Sequence, residues 1–174
     1  MYNKALEKPG VRYPRGDGSV PKTSIGRIPA PQGSTDCCPE VQIATATEYR
    51  LVSSAKQSNF IWGELVGGGK LSFIVENLPK TTPYSGCAGR WMFGQMMAHF
   101  GGNVIAIQGN WVGPNSDNLR EVNRFTAAGL SLESAAKATW TGQRASGYGF
   151  TDYEEVSKLG MPGNYSDVHV LFKQ

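Results

Sequence analysis

The sequence predicts an α+β domain in which an antiparallel sheet packs against two or three helices, with an irregular N-terminal arm before it. The chain has 174 residues, and a chain of about 150 residues buries roughly two-thirds of its unfolded surface in one core. Its strand-like and helix-like segments follow in the order β-β-β-α-β-α-α-β-β, without the regular alternation of a parallel α/β fold. The 22 glycines indicate many turns. We therefore expect a single, loop-rich domain.

Residues 1–46 are predicted to form a basic arm or linker rich in proline and glycine, and residues 47–174 to form the domain. The first 35 residues hold five prolines, five glycines and few large apolar side chains. Proline lacks an amide donor and fixes φ, so this stretch favours extended or irregular chain. It also carries six basic and two acidic side chains, which would attract phosphate groups. We interpret it as a solvated linker.

The sheet is predicted from short segments rich in β-branched and aromatic residues. Two of these segments flank three glycines, 67–69, a pattern typical of a β-hairpin. Two more close the domain at its C-terminal end. The predicted strands are 48–52, 59–66, 70–76, 104–107, 153–159 and 167–173.

Three helices are predicted from capping residues and apolar periodicity. Ser85 is the expected N-cap of the first helix, and Ser131 that of the third. Asn118 and Glu121 resemble a capping box at the start of the second. The third helix is expected to run without a break. The predicted helices are 85–100, 118–129 and 132–146.

The three cysteines do not predict a disulfide framework. Cys37 and Cys38 are adjacent and cannot easily bridge each other without strain, and three is an odd number. We therefore expect reduced thiols and a reducing final destination, with Cys87 as a buried or idle thiol rather than a nucleophile.

The third predicted helix carries the most informative polar pattern. On an unbroken helix, Lys137, Thr141, Arg144 and Tyr148 would form one stripe. Two cations, a hydroxyl and a phenol suit a cradle for a phosphate or an oxyanion, and a solvated cationic face is the alternative. Gly142 costs a helix about 1 kcal/mol relative to alanine, which predicts a close backbone approach there.

The chain has two histidines. His99 ends the first predicted helix, where the helix dipole favours the imidazolium form. It is either a catalytic acid or base, or a core or capping histidine. His169 lies between two valines on the last predicted strand, so we expect it to face solvent.

Trp111 is predicted to lie on a loop after the strand at 104–107. A tryptophan at a loop mouth either stacks on a base or a ring, or caps the core. The predicted substrate-binding residues are Trp111, Tyr148, Thr139 and Asn118. The predicted catalytic residues are His99, Thr141, Arg144 and Lys137.

No metal or other cofactor is expected, and no membrane span. No histidine pair, carboxylate cluster or cysteine pair has the spacing of metal ligands. No run approaches the roughly 18 apolar residues of a spanning helix.

Five short motifs occur in a fixed order in the second half of the chain: Met97-Ala98-His99-Phe100-Gly101, Ile107-x-Gly109-x-Trp111, Asn118-Leu119-x-x-x-Asn123, Ala135-Ala136-x-x-Thr139-Trp140-Thr141-Gly142 and Gly149-Phe150. With them, residues 85–174 resemble the C-terminal toxin modules of Rhs-type and contact-dependent-inhibition polymorphic toxins of bacteria. One departure is the run 113–117, where we expect a shorter loop.

The resemblance implies a secreted or delivered antibacterial effector that acts in the cytoplasm of a target cell. It also implies a cognate immunity protein that neutralises the toxin in its producer. The activity stays open, because such modules include ribonucleases, DNases, deaminases and ADP-ribosyltransferases.

The first functional hypothesis is a metal-independent ribonuclease that cleaves RNA such as tRNA. Cleavage through the 2′-hydroxyl needs a base, an acid and cations at the phosphate. His99 would be the acid or base, and Lys137 and Arg144 would hold the phosphate. Because residues 81–174 carry no net charge, whereas RNA binders are usually basic, only the arm would supply an excess of positive charge.

Two alternatives remain. An ADP-ribosyltransferase or other NAD-consuming toxin would use Arg50, the pair Ser53-Ser54 and the acidic motif Asp152-x-Glu154. The serines follow the arginine closely, and the motif has Asp where Gln or Glu is expected. The other alternative is a non-enzymatic binding module, in which glycines and tryptophans serve packing.

Overall fold

The structure, a computed structural model, describes residues 26–27, 29, 37–53, 56–76 and 87–174. Within these residues the chain has the expected α+β class, with eight strands in one mostly antiparallel sheet and four α-helices. The strands are β1 Gly26–Arg27, β2 Pro39–Ala44, β3 Glu48–Ser53, β4 Lys56–Val66, β5 Lys70–Glu76, β6 Ala106–Val112, β7 Asp152–Met161 and β8 Asn164–Lys173. The helices are α1 Gly89–Phe100, α2 Asp117–Ala127, α3 Leu132–Ala138 and α4 Trp140–Ser146. The predicted cap Ser85, Ser54 and most of the predicted arm lie outside the described residues.

The strand order across the sheet is β1-β2-β3-β4-β5-β6-β8-β7. The first five strands form an antiparallel meander. Helix α1 then connects β5 to β6, which pairs parallel to it, with Lys70 opposite Ala106. A parallel neighbour requires such a crossover, because a tight turn reverses the chain. The hairpin β7–β8 is antiparallel, and β8 inserts between β6 and β7.

Alternate residues of the strands face the helices and form the core. In β8, Val168 and Val170 are fully buried and flank His169, and in β6 the buried Trp111 follows Asn110. Burying one such apolar side chain contributes roughly 1.5–3 kcal/mol. Because successive side chains of a strand point to opposite faces, Asn110 and His169 lie on the face away from this core. We call this side of β6 and β8, which carries Gln108, Asn110, Asp167 and His169, the polar face.

The folded unit begins earlier than the sequence predicted. Residues 37–46 were expected to belong to the arm, but β2 pairs with β3 over almost its whole length, and Val41 is buried. The prediction failed because this strand is short, carries a register shift after Val41 and takes its stability from the neighbouring strand.

A disulfide joins Cys37 to Cys87, so the prediction of three reduced thiols is wrong. Both bonded residues are buried, whereas Cys38 is exposed and free. The bond links the start of β2 to the residues before α1, across a sequence separation of 50 residues. The spacing of the cysteines in the sequence does not reveal this pair, because Cys37 and Cys87 become neighbours only when the sheet and α1 have formed.

The second and third predicted helices begin and end differently from expectation. The N-cap of α2 is Ser116, whose Oγ accepts a hydrogen bond from the amide of Leu119 at 3.2 Å. Asn118, the predicted cap, therefore lies inside the first turn. The third predicted helix is two short helices, because Thr139 is extended with φ −66° and ψ 165°.

Candidate functional site

The stripe predicted from Lys137 to Tyr148 is wrong, because the helix that would carry it is broken at Thr139. Lys137 lies in the last turn of α3, whereas the rest of the stripe belongs to α4 and the turn after it. Its Nζ lies 2.7 Å from Oε1 of Glu133, and both side chains are exposed. Its charge is therefore engaged in a surface ion pair, which contributes little to stability.

Arg144 and Tyr148 pack on aromatic side chains. Cζ of Arg144 lies 6.0 Å from the ring centroid of Trp140, and the ring of Tyr148 lies 5.7 Å from that of Phe93. Tyr148 is 44% exposed. It keeps the accessible surface that stacking on a base requires, and its role in substrate binding stays a prediction.

Thr139 ends α3 and begins α4, and its side chain is fully buried. Its hydroxyl accepts a hydrogen bond from the amide of Gly142 at 3.1 Å and donates to the carbonyl of Ala136 at 2.7 Å. A Cβ on Gly142 would lie 2.3 Å from that carbonyl oxygen. The close backbone approach predicted for Gly142 is therefore confirmed, and Thr139 has no free surface for a substrate.

Two residues of α2 hold the first turn of α4. Asn118 accepts from the amide of Thr141 at 3.3 Å and donates to its hydroxyl at 3.0 Å. Glu121 accepts from the amide of Trp140 at 3.2 Å. With the cap at Thr139, these bonds satisfy three amides that a helix start leaves without partners. Asn118 and Thr141 thus have a structural role, and Thr141 is buried.

His99 lies against the turn between β2 and β3. Its Nε2 is 2.7 Å from the carbonyl oxygen of Thr45, and its ring stacks on Tyr49 with centroids 4.9 Å apart. The contact of α1 with α4 comes instead from Phe93 and Trp140, and Phe93 precedes His99 by about 9 Å along the helix. The structure does not bring His99 together with Lys137, Thr141 and Arg144.

Trp111 is part of β6 and not of a loop, so that prediction is wrong. It pairs with Val168 of β8, which extends the strand beyond its predicted end. Only 4% of the residue is exposed, and its ring packs near Phe172. A side chain buried in this way caps the core and cannot stack on a base.

A polar cluster that the sequence reasoning missed surrounds His169 on the polar face. Nδ1 of His169 lies 2.6 Å from Oδ1 of Asn110, and Nε2 lies 2.5 Å from Oδ1 of Asp167. Gln108 donates to the same oxygen of Asn110 at 2.9 Å. The side chain of His169 is 12% exposed and that of Asp167 26%. The expected solvent-facing histidine is therefore mostly enclosed by polar partners.

The sequence did contain one signal for this cluster. Polar residues stand two apart in both strands, at Gln108 and Asn110 and at Asp167 and His169, which places each pair on one face. The signal was incomplete because nothing in the sequence says that β6 and β8 are neighbours. Register then places Asn110 opposite His169 and Ser157 of β7 on its other side.

The polar face also carries two lysines. In the register of the sheet, Lys70 and Lys173 lie on either side of Ala106. Lys173 forms an ion pair with Glu154 of β7. Alternation along β8 puts Lys173 on the same face as His169, about 13 Å away.

The residues proposed for NAD chemistry lie at distant places in the sheet. Arg50 is on β3 and Glu154 on β7, five strand positions apart, which corresponds to about 24 Å. Arg50 packs over the ring of Phe60 at 5.0 Å, and burial lowers the pKa of its guanidinium, an effect that nearby Glu48 opposes. Arg50 and Glu154 therefore do not form one compact site.

Within the part of the chain that the structure describes, no group of three or more His, Cys, Asp or Glu residues is placed to hold a metal ion. No helix among those residues is long and apolar enough to cross a membrane. No model of a known protein family, no curated protein and no solved structure matches the chain.

Proposed function

We propose that the chain is a toxin domain that cleaves RNA without a metal ion, with His169 and Asp167 as its acid–base pair. The observation that carries the proposal is the 2.5 Å contact between Nε2 of His169 and Oδ1 of Asp167. It lies on the polar face, away from the helices that pack on the core side. A proton donor beside a proton acceptor is what cleavage through the 2′-hydroxyl requires. The acid–base role thereby moves from His99 to the second histidine.

The reaction is an attack of the 2′-hydroxyl oxygen of RNA on the adjacent phosphorus. Asp167 accepts the hydroxyl proton as the new O–P bond forms, and His169 gives a proton to the 5′-oxygen as its bond to phosphorus breaks. The products are a 2′,3′-cyclic phosphate and a 5′-hydroxyl. In the free protein the two side chains hold each other in contact, and a bound phosphodiester would separate them.

Positive charge for the RNA backbone comes from two sources. Lys70 lies beside Ala106 on the polar face, whereas the charge of Lys173, on the other side of Ala106, is balanced by its ion pair with Glu154. The first 35 residues add six basic side chains against two acidic ones. Binding that depends on these charges should weaken as salt rises.

The biological setting follows from the resemblance of the motifs in residues 85–174. We propose a delivered toxin that acts on RNA such as tRNA in the cytoplasm of a target cell, with a cognate immunity protein as its partner in the producer. The Cys37–Cys87 disulfide supports passage through an oxidising compartment, as secretion involves. Asn118, Thr139, Thr141 and Gly142 join α2, α3 and α4, so these motif residues support the framework rather than the chemistry.

The proposal is tested by incubating total RNA and purified tRNA with the full chain in EDTA. We expect fragments that end in 2′,3′-cyclic phosphate, and no cleavage of an RNA with a 2′-deoxy sugar at the cut site. His169→Gln and Asp167→Asn should each lower the rate by about two to four orders of magnitude while circular dichroism stays unchanged. Lys158→Ala is the matched control, because Lys158 lies opposite Val168 on the other face, and it should cleave at the wild-type rate.

Other outcomes separate the alternatives. An active His169→Gln variant beside an inactive His99→Gln variant would return the chemistry to His99 and contradict the proposal. Transfer of label from NAD to a lysate protein would favour the ADP-ribosyltransferase hypothesis instead. A wild-type chain that neither cleaves RNA nor transfers label from NAD would be a binding module.

A further inference from the structure

We infer that Asn110 is a positioning residue for His169, which it holds through Nδ1 so that Nε2 points at Asp167 and both ring nitrogens carry hydrogen. The inference rests on the proposed ribonuclease function, because it assigns the residue that prepares the acid of that reaction. Its basis is geometric. Oδ1 of Asn110 lies 2.6 Å from Nδ1 of His169. Asn110 is on β6 and is paired directly with His169 of β8 in the sheet.

The orientation of the Asn110 amide is supported from its other side. Gln108 lies two residues earlier on β6 and donates from Nε2 to the same Oδ1 at 2.9 Å. An amide nitrogen only donates, so the atom of Asn110 that faces it is the oxygen. That oxygen accepts from both neighbours, and Nδ1 of His169 must therefore be the donor.

The second ring nitrogen faces an acceptor as well. Nε2 of His169 lies 2.5 Å from a carboxylate oxygen of Asp167. An ionised carboxylate can accept a hydrogen bond but cannot donate one. A ring that donates from Nδ1 to Asn110 and holds Nε2 in ion-pair contact with a carboxylate suits the imidazolium form, which is the form that a general acid needs before the 5′-oxygen leaves. Among the residues that the structure describes, Ser157 of β7 lies opposite His169 in the register, and the Lys173–Glu154 pair lies farther along the same face.

The two substitutions of Asn110 have opposite expected effects. Asn110→Ala removes one acceptor, so His169 should lose its second hydrogen at a pH about one unit lower than in the wild type. Asn110→Asp replaces the amide oxygen by a carboxylate and should move the same midpoint upward by about one unit. A merely structural residue would not move the midpoint in opposite directions.

The experiment is a pH titration of the imidazole ¹⁵N signals in the full chain, together with the pH profile of RNA cleavage for the same proteins. The chain has only two histidines, so His99 serves as an internal reference in each spectrum. The signals that disappear in the His169→Gln variant are those of His169. The alkaline limb of the cleavage profile should move with the ¹⁵N midpoint in both variants.

Failure of the inference and failure of the proposed function are distinguishable. Equal midpoints in the wild type and Asn110→Ala, or a wild-type His169 ring with hydrogen on Nε2 only at pH 6, would overturn the positioning role even if His169→Gln is inactive. Shifted midpoints together with a fully active His169→Gln variant would support the hydrogen-bond assignment and overturn the ribonuclease proposal.

Discussion

Asn118 of α2 binds Thr141 of α4 twice, once at the backbone amide and once at the hydroxyl, across 23 residues of sequence. The Thr-Trp-Thr-Gly motif is therefore the N-terminal turn of a short helix, stabilised from a neighbouring helix. A helix of seven residues such as α4 is marginal in isolation. Its position depends on these tertiary hydrogen bonds.

Asn118→Ala should lower the free energy of unfolding by about 1–3 kcal/mol, because it leaves buried groups of α4 without partners. Chemical denaturation measures this change. Asn115→Ala is the matched control, since Asn115 is an exposed asparagine in the preceding loop, and it should change stability little. A normal free energy of unfolding with a lower rate of RNA cleavage would instead support the substrate-binding role that the sequence suggested.

Gly142→Ala should destabilise the fold by about 1–3 kcal/mol, the usual range for overpacking. The added Cβ would lie 2.3 Å from the carbonyl oxygen of Ala136 and 2.6 Å from that of Lys137. Both are backbone atoms, which cannot turn aside as a flexible side chain can. Thermal unfolding measures the loss.

Gly147→Ala is the control for this substitution. Gly147 has φ −63°, and its Cβ would lie 3.5 Å from the nearest carbonyl oxygen, an ordinary contact. We expect a neutral or slightly stabilising effect, because alanine restricts the unfolded chain more than glycine does. Equal losses at both positions would show that the close approach at Gly142 has no special cost.

Stability should fall at alkaline pH because of two tyrosines, one buried and one half-buried. Burial raises the pKa of Tyr49 to about 12, and burial together with nearby acidic groups raises the pKa of Tyr153 to about 12. A tyrosine in the unfolded chain has a pKa near 10, so the unfolded state releases its protons first. The stability that depends on the neutral phenols is thus fully present below pH 10 and is lost as the pH rises toward 12.

Tyr153→Phe should reduce the slope of stability between pH 10 and pH 12. Urea denaturation at several pH values measures the slope, and each variant serves as its own reference at pH 7, where the phenols are neutral in both states. An unchanged slope in both Tyr49→Phe and Tyr153→Phe would mean that other groups cause the alkaline loss.

The strands were predictable where local composition decides them. The pattern around the turn at 67–69 predicted β4 and β5, and the observed hairpin pairs Val66 with Lys70. The break at Thr139 was missed although Thr139 caps α4 with its own hydroxyl, because Asn118 and Glu121 of another helix, which also hold this turn, become neighbours only in the fold. The cluster at His169 was missed for a similar reason, since its partner Asn110 lies 59 residues away and becomes a neighbour only through the strand order.

Removing the Cys37–Cys87 disulfide should cost about 4 kcal/mol, the chain-entropy estimate for a loop of about 50 residues. The bond restricts the unfolded chain over β2 to β5, so its loss favours the unfolded state. Thermal unfolding with and without a reductant measures the cost. A variant with both Cys37→Ser and Cys87→Ser should match the reduced wild type and show no further response to the reductant.

Cys38→Ser is the control for the disulfide, because Cys38 is an exposed free thiol and its loss should leave the melting temperature unchanged. A wild-type chain that melts at the same temperature in both redox states, with intact thiols by mass spectrometry, would contradict the bond. In the proposed setting, reduction of the Cys37–Cys87 bond in a reducing cytoplasm would remove part of the stability that the chain has in an oxidising compartment. RNA cleavage in the presence of reductant would then tell whether the polar face stays assembled, since β6, β7 and β8 lie outside the loop that the disulfide closes.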